Sequence, residues 1–206
     1  MHSIVSDALS RVLAGERLSR ADALRLWEAP AEELFDAARL ITRRLAPRAF
    51  NFCSIVNAKS GRCTEDCRWC AQSRHFRTDA PEYPLIDEQT ALEAARRTEA
   101  AGIPRFSFVT SGRKLSPREV RDLAKLVRAV RRETSVEVCV SAGLLKEEEL
   151  RLLRNAGVVR YHCNLEASPD YFPKVCTSHT TKDKIETLLA ARRAGLDLCS
   201  GGIVGM

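Results

Sequence analysis

The sequence contains no run of about 18 apolar residues, so it offers no membrane span. It has no low-complexity tract. With 45% hydrophobic and 29% charged residues, it has enough apolar material for a sizeable core. It has no basic stripe: 33 Lys and Arg are interleaved with 27 Asp and Glu. The net charge of +6 therefore reads as a solvated surface, with no nucleic-acid partner expected. The first twenty residues hold no export-signal core, because Asp7, Arg11, Glu16, Arg17 and Arg20 interrupt the apolar positions. A cytoplasmic location is expected, where thiols stay reduced rather than paired. Against these absences stand eight cysteines: Cys53, Cys63, Cys67, Cys70, Cys139, Cys163, Cys176 and Cys199.

The hydrophobic pattern changes near residue 48. Apolar residues recur at helical spacing over 3–14, 19–28 and 31–46, and Pro47 closes the last of these. Residues 1–48 are read as an N-terminal helical segment and 49–206 as a second domain. Short apolar runs then occur at 52–56, 105–110, 136–140, 158–165 and 196–204, separated by helical patterns at about 87–101, 117–132, 146–156 and 181–194. The strings AAGIPRFSF, NAGVVRYHC and RAGLDLCSG repeat one helix-to-strand turn, with Gly102, Gly157 and Gly195 where a left-handed cap is wanted. Strands alternating with helices give right-handed βαβ units and a parallel sheet. The fold class is α/β: a (β/α)8 TIM-type barrel, here incomplete, with about five βα units. A full barrel takes about 250 residues. Ending in Gly201-Gly202-Ile203-Val204-Gly205-Met206, the chain is expected to be truncated before its last strands and poorly soluble alone.

Chemistry concentrates in Cys63-Thr-Glu-Asp-Cys67-Arg-Trp-Cys70, a C-x3-C-x2-C run just after the first strand. Three thiolates this close suit a 4Fe-4S cluster and leave one iron open, where four would saturate it. Structural zinc takes four ligands, commonly as two pairs; no second pair lies nearby, and His75 would have to be the fourth.

The triplet, with an aromatic before its last cysteine, resembles the radical S-adenosylmethionine (SAM) superfamily. From about residue 20 onward, the strings NAKSGRCTEDCRWCAQS, RYHCNLEASPDYF, CTSHTTKDKIETL and LDLCSGGIVGM resemble the biotin synthase family. The resemblance implies that Cys63, Cys67 and Cys70 hold the 4Fe-4S cluster and that SAM binds its open iron. Reductive cleavage of SAM would yield a 5'-deoxyadenosyl radical that takes hydrogen from dethiobiotin, and sulfur from a second cluster would close the ring of biotin. It places Trp69 near the adenine, and Thr110, Ser111 and Gly112 against the methionyl part. Asn164 and Glu166 would reach substrate and ribose, Glu standing where the family has Asp. Gly201, Gly202, Ile203 and Gly205 would form a backbone strip past the adenine. All lie at carboxyl ends of strands, where barrel enzymes keep their chemistry.

The second cluster departs from the common family pattern. A 2Fe-2S cluster there takes three strand cysteines and a late arginine. Cys139 and Cys199 match two of these, but the third position is Ser107, and Cys53 and Cys176 are extra. The resemblance to variant members implies a rearranged cluster, 2Fe-2S or a 4Fe type, on Cys53, Cys139, Cys199 and Cys176. Strand alternation points Cys163 outward, and it is read as structural. Further implied partners are an electron donor of flavodoxin or ferredoxin type and a second copy of the full-length chain. This fragment alone is expected to be inactive. Two other readings stay open: another radical SAM enzyme of the same half-barrel group, such as hydrogenase-maturation or pyrrolysine-pathway relatives, and a non-catalytic iron–sulfur or zinc module.

Overall fold

The computed structural model describes residues 2–47 and 51–206. The chain divides into two compact units, Met1–Phe50 and Asn51–Met206. The boundary expected between 48 and 49 lies outside the described residues.

The first unit is helical: α1 (Ser3–Leu13), α2 (Arg20–Leu26) and α3 (Ala31–Leu45). Ser19 starts α2 as an N-cap: its hydroxyl accepts from Asp22 N at 3.1 Å, and the Asp22 carboxylate accepts from Ser19 N at 2.9 Å. The helix α3 stops as expected before Pro47, whose ring pushes Ala46 into extended backbone. Val5, Ala8 and Ala37 are buried between α1 and α3.

The second unit is a five-stranded parallel sheet in the order β1-β2-β3-β4-β5. Its strands are β1 (Ser54–Lys59), β2 (Arg105–Thr110), β3 (Glu137–Ser141), β4 (Val158–His162) and β5 (Asp197–Cys199). The crossovers carry α4 (Glu88–Ala100), α5 (Pro117–Glu133), α6 (Glu147–Ala156), a one-turn α7 (Phe172–Val175) and α8 (Thr181–Arg193). This is the expected incomplete barrel of α/β class. Gly102, Gly157 and Gly195 all take positive φ at their turns, as the repeated strings required. Several elements differ from expectation: β4 ends at His162 rather than 165, and β5 covers only Asp197–Cys199 of the expected 196–204. The first strand starts at Ser54 rather than 52, because pairing with β2 sets its register and its polar Asn57 and Lys59 lie within it. The short α7 carries no periodic signal.

The sheet has two different faces. Phe106, Phe108, Val138, Val140 and Val158 pack on Leu123, Val127 and Val130 of α5 and Leu150 and Leu153 of α6. Each is at most 2% exposed, so this layer holds most of the burial that stabilises the unit. On the opposite face the register aligns Ile55, Ser107, Cys139, Arg160 and Asp197 in one row. A shift in the β3–β4 pairing between Val138 and Cys139 acts like a bulge. Val158 stays on the helix face, yet Arg160 falls in the inner row, while Tyr161 and Cys163 join the apolar core.

Candidate functional site

The carboxyl ends of the strands border a cavity of about 330 Å³. Cys63, Cys67 and Cys70 line it together with Trp69, Thr110, Ser111, Gly112, Asn164 and Glu166. The cysteine loop leaves β1 and is pinned at both ends. Cys63 N donates to Gln72 O at 3.0 Å, Arg74 N donates to Cys63 O at 2.9 Å, and the Ser111 hydroxyl donates to Gly61 O at 2.8 Å. Within it, Cys70 N donates to Cys67 O at 3.1 Å, a tight turn that brings the last two thiols to one side.

Two carboxylates fasten this loop to the segment that precedes α8. Asp66 accepts from Thr177 N at 2.9 Å, Ser178 N at 3.0 Å and the Thr177 hydroxyl at 2.5 Å. The Thr177 hydroxyl is foremost among the donors that hold the Asp66 carboxyl well below its ordinary range. Glu65, 6% exposed, accepts from the Ser178 hydroxyl at 2.9 Å and lies 2.6 Å from His179 Nδ1, with Arg113 Nη1 3.4 Å away. Arg113 also donates to Ser178 O. Burial lowers the pKa of His179, although Glu65 opposes it. Burial likewise pushes up the thiols of Cys63 and Cys67, and Cys176 adds to the effect on Cys67. A metal at this loop must therefore displace thiol protons.

A second group of sulfurs lies on the inner face of the sheet. Cys139 is in register with Ser107 on one side and Arg160 on the other. Burial pushes its thiol up to about 12; Cys53 and Cys199 add to this, and Arg105 and Arg160 oppose it. Arg105 Nη2 pairs with Glu137 at 2.8 Å, but among the described residues the buried Nε atoms of Arg105 and Arg160 have no partner. Three thiols beside two unsatisfied guanidinium nitrogens suit an anionic iron–sulfur group. At the cavity itself the buried Thr110 hydroxyl also lacks a partner among the described residues, which fits a polar ligand there.

The sequence-predicted residues separate into four places. Cys63, Cys67, Cys70, Trp69, Thr110, Ser111, Asn164 and Glu166 meet at the cavity. Cys139 lies in the inner row, with Cys53 just before β1 and Cys199 at the end of β5. Cys176 stands apart from that second set: its sulfur lies 3.6 Å from Cys67 Sγ and 3.4 Å from His179 Nδ1. Gly201, Gly202 and Ile203 do not line the cavity; they pair with the Glu166 segment, where Ile203 N donates to Glu166 O at 2.7 Å. Glu166 itself takes a left-handed φ of 68°, a conformation stored at the site. Trp69 packs edge-on against Phe172 at 5.6 Å. His75 makes a local contact with Thr64 O at 3.0 Å. Sequence reasoning missed Glu65, Arg113 and Lys184, all of which line the cavity. The acidic pair inside the cysteine triplet was the available signal for Glu65.

Comparison with known proteins bears on the same residues. A profile of the Radical SAM superfamily matches residues 58–206. Biotin synthase 2 of Corynebacterium diphtheriae is 49% identical over 203 residues, 98% of this chain and 62% of that protein. A biotin synthase of Porphyromonas gingivalis is 44% identical over 198 residues, 96% of this chain and 60% of that protein. The chain thus spans about three fifths of the length of these curated relatives. Among solved structures, methylornithine synthase superposes with a TM-score of 0.78 at 19% identity, covering 96% of this chain and 59% of that one. The FeFe-hydrogenase maturase HydG from Carboxydothermus hydrogenoformans gives 0.78 at 18%, covering 96% and 48%. These two likenesses concern the fold alone. With the profile spanning most of the chain and the triplet seated at the strand ends, the chain belongs to the radical SAM superfamily.

Proposed function

We propose that the chain is the SAM- and cluster-binding part of a biotin synthase, acting in sulfur insertion into dethiobiotin. The observation that carries this reading is that Cys63, Cys67 and Cys70 line one cavity at the strand ends, while Cys139 stands in the inner row of the same sheet, Cys53 just before β1 and Cys199 at the end of β5. When bound, the clusters and SAM supply an organic radical able to break unactivated C–H bonds, and the sulfur that replaces the hydrogen.

The chain's own residues bind and orient. Cys63, Cys67 and Cys70 would hold the 4Fe-4S cluster beside the cavity in which SAM would bind. Thr110 offers its free hydroxyl, and Ser111 and Gly112 line the wall beside it. Asn164 and Glu166 present an amide and a carboxylate to the polar groups of ligand, and Trp69 offers an aromatic face. The strip from Gly201 to Ile203 steadies Glu166 through its backbone pairing. Cys53, Cys139 and Cys199 hold the second cluster, with Arg105 and Arg160 balancing its charge. Ser107 completes that row with an oxygen where the common pattern has a thiol. An electron donor of flavodoxin or ferredoxin type, a homodimer of the full-length protein, a cytoplasmic location and inactivity of this fragment alone belong to the same reading.

The test is electron paramagnetic resonance of the anaerobically reconstituted, reduced chain. A 4Fe-4S signal that shifts on adding SAM is expected. The longer protein, given dethiobiotin, should then release 5'-deoxyadenosine and biotin. A signal that SAM leaves unmoved overturns the reading.

A further inference from the structure

We propose that Cys67, Cys176 and His179 form a metal site of their own, which takes one thiophilic divalent ion of the zinc class while the cluster is absent. Among the described residues, their ligand atoms all lie within 4.8 Å of one another. The spacing is that of ligands on one ion. With Zn–S near 2.3 Å and Zn–N near 2.0–2.1 Å, a tetrahedral ion holds two sulfurs about 3.8 Å apart and a sulfur and nitrogen about 3.6 Å apart. The two sulfurs here lie 3.6 Å apart, and Cys176 Sγ is 3.4 and 3.9 Å from the two ring nitrogens of His179.

The surroundings are built for such an ion. Cys176 is 2% and His179 8% exposed. Glu65 lies 2.6 Å from His179 Nδ1, the carboxylate–histidine arrangement that fixes the ring and raises its basicity toward a metal. With Nδ1–H given to Glu65, the Nε2 lone pair, 3.9 Å from Cys176 Sγ, is left for the ion. Binding releases the Cys67 and Cys176 thiol protons to solvent, and no electrons move. Cys67 cannot serve the ion and the cluster together, so the two metals exclude each other. The ion joins Cys67 of the loop to the segment before α8 until the cluster replaces it. Only this exclusion rests on the reading of Cys67 as a cluster ligand; the ion site itself is tested without any cluster.

The experiment titrates the full chain, prepared anaerobically without iron, with Co²⁺ as a coloured stand-in and then with Zn²⁺. One equivalent of cobalt with the intense visible bands of a tetrahedral thiolate site is expected. Cys176→Ser and His179→Gln should each weaken binding by at least about tenfold. Cys176→Ser should still take up iron and sulfide on reconstitution, because Cys176 belongs neither to the triplet nor to the Glu65–His179 contact. Zinc added first should slow cluster assembly in the unaltered chain and not in Cys176→Ser. Unchanged cobalt bands in both variants would put the ion on the triplet and overturn the proposal. So would weak octahedral bands, or loss of iron uptake in Cys176→Ser, which would make Cys176 a cluster ligand.

Discussion

The carboxylate of Glu65 lies 2.6 Å from Nδ1 of His179, across 114 residues of chain. Its neighbour Asp66 reaches the same segment through Thr177 and Ser178. The triplet is therefore held by a tertiary clamp and not by its own loop alone. Asp66→Ala leaves three donors without their charged acceptor, a loss on the order of 2 kcal/mol in loop closure. Less iron and sulfide per chain after reconstitution is the expected outcome, measured beside circular dichroism to show the fold intact.

Thr110→Val should separate stability from binding. The hydroxyl is buried and unpaired, so its removal should raise stability by up to about 1 kcal/mol in urea melts. If the hydroxyl serves SAM, affinity for SAM should fall by roughly fivefold to tenfold in the same variant. Unchanged affinity would remove Thr110 from the ligand's contacts.

The second cluster can be tested by exchange. Cys53→Ala should lose the iron and sulfide that belong to the inner-face group while keeping the cavity cluster. Ser107→Cys in that background places a thiol in register with Cys139 and should restore part of the loss. Full second-cluster content in Cys53→Ala alone would return Cys53 to a structural role.

Lys59 and Glu119 predict a pH dependence. Burial alone would raise the Glu119 carboxyl. Lys59 Nζ at 2.6 Å, with Ser116 N and Oγ at 2.8 Å each, outweighs burial and holds it below its ordinary value. A carboxylate depressed on folding stabilises above its unfolded pKa of about 4.3, and that stability is lost as pH falls through the folded value. Urea midpoints should fall from pH 6 toward pH 4, and Glu119→Gln should flatten that fall. Ser116→Ala, which removes the cap of α5 and a donor to the Glu119 carboxylate, should cost about 1 kcal/mol at pH 6 and less at pH 4.

Gly143 admits no side chain. Its φ is +74°, and a Cβ there would be driven into the Arg113 carbonyl. That same carbonyl accepts from Leu144 N at 2.8 Å, and Gly143 O accepts from Tyr161 at 2.6 Å. Gly143→Ala should destabilise the second unit by about 2–4 kcal/mol and disturb the cavity wall it lines, both visible in urea melts and SAM binding.

What was legible in the sequence was local. Ser116 with Glu119, and Thr180 with Asp183, announce α5 and α8 because a cap needs only residues three apart. The triplet is legible for the same reason. The one-turn α7 is not, since packing of Phe172 against Trp69 and His179 sets it. Nor is the place of Cys176 beside Cys67, which spans 109 residues and depends on the Glu65–Asp66 clamp. Arg160 faces inward only because the β3–β4 pairing shifts by a residue, and no side-chain pattern in β4 records that shift.

The order of the strands in the sheet is also their order along the chain. Each strand therefore docks on the one made just before it, and every pairing closes a loop no longer than one crossover. Parallel sheets are generally slow to form because distant segments must find one another. Here the search is broken into short steps that can proceed as synthesis advances, each βα unit using its predecessor as template. The sulfur positions are filled in the same sequence: Cys53 and the triplet come first, then Cys139, then Cys176 and Cys199. The cavity cysteines are thus made before most of the walls that enclose them, and the thiols most exposed to a wrong metal during synthesis are those that must later hold the right one.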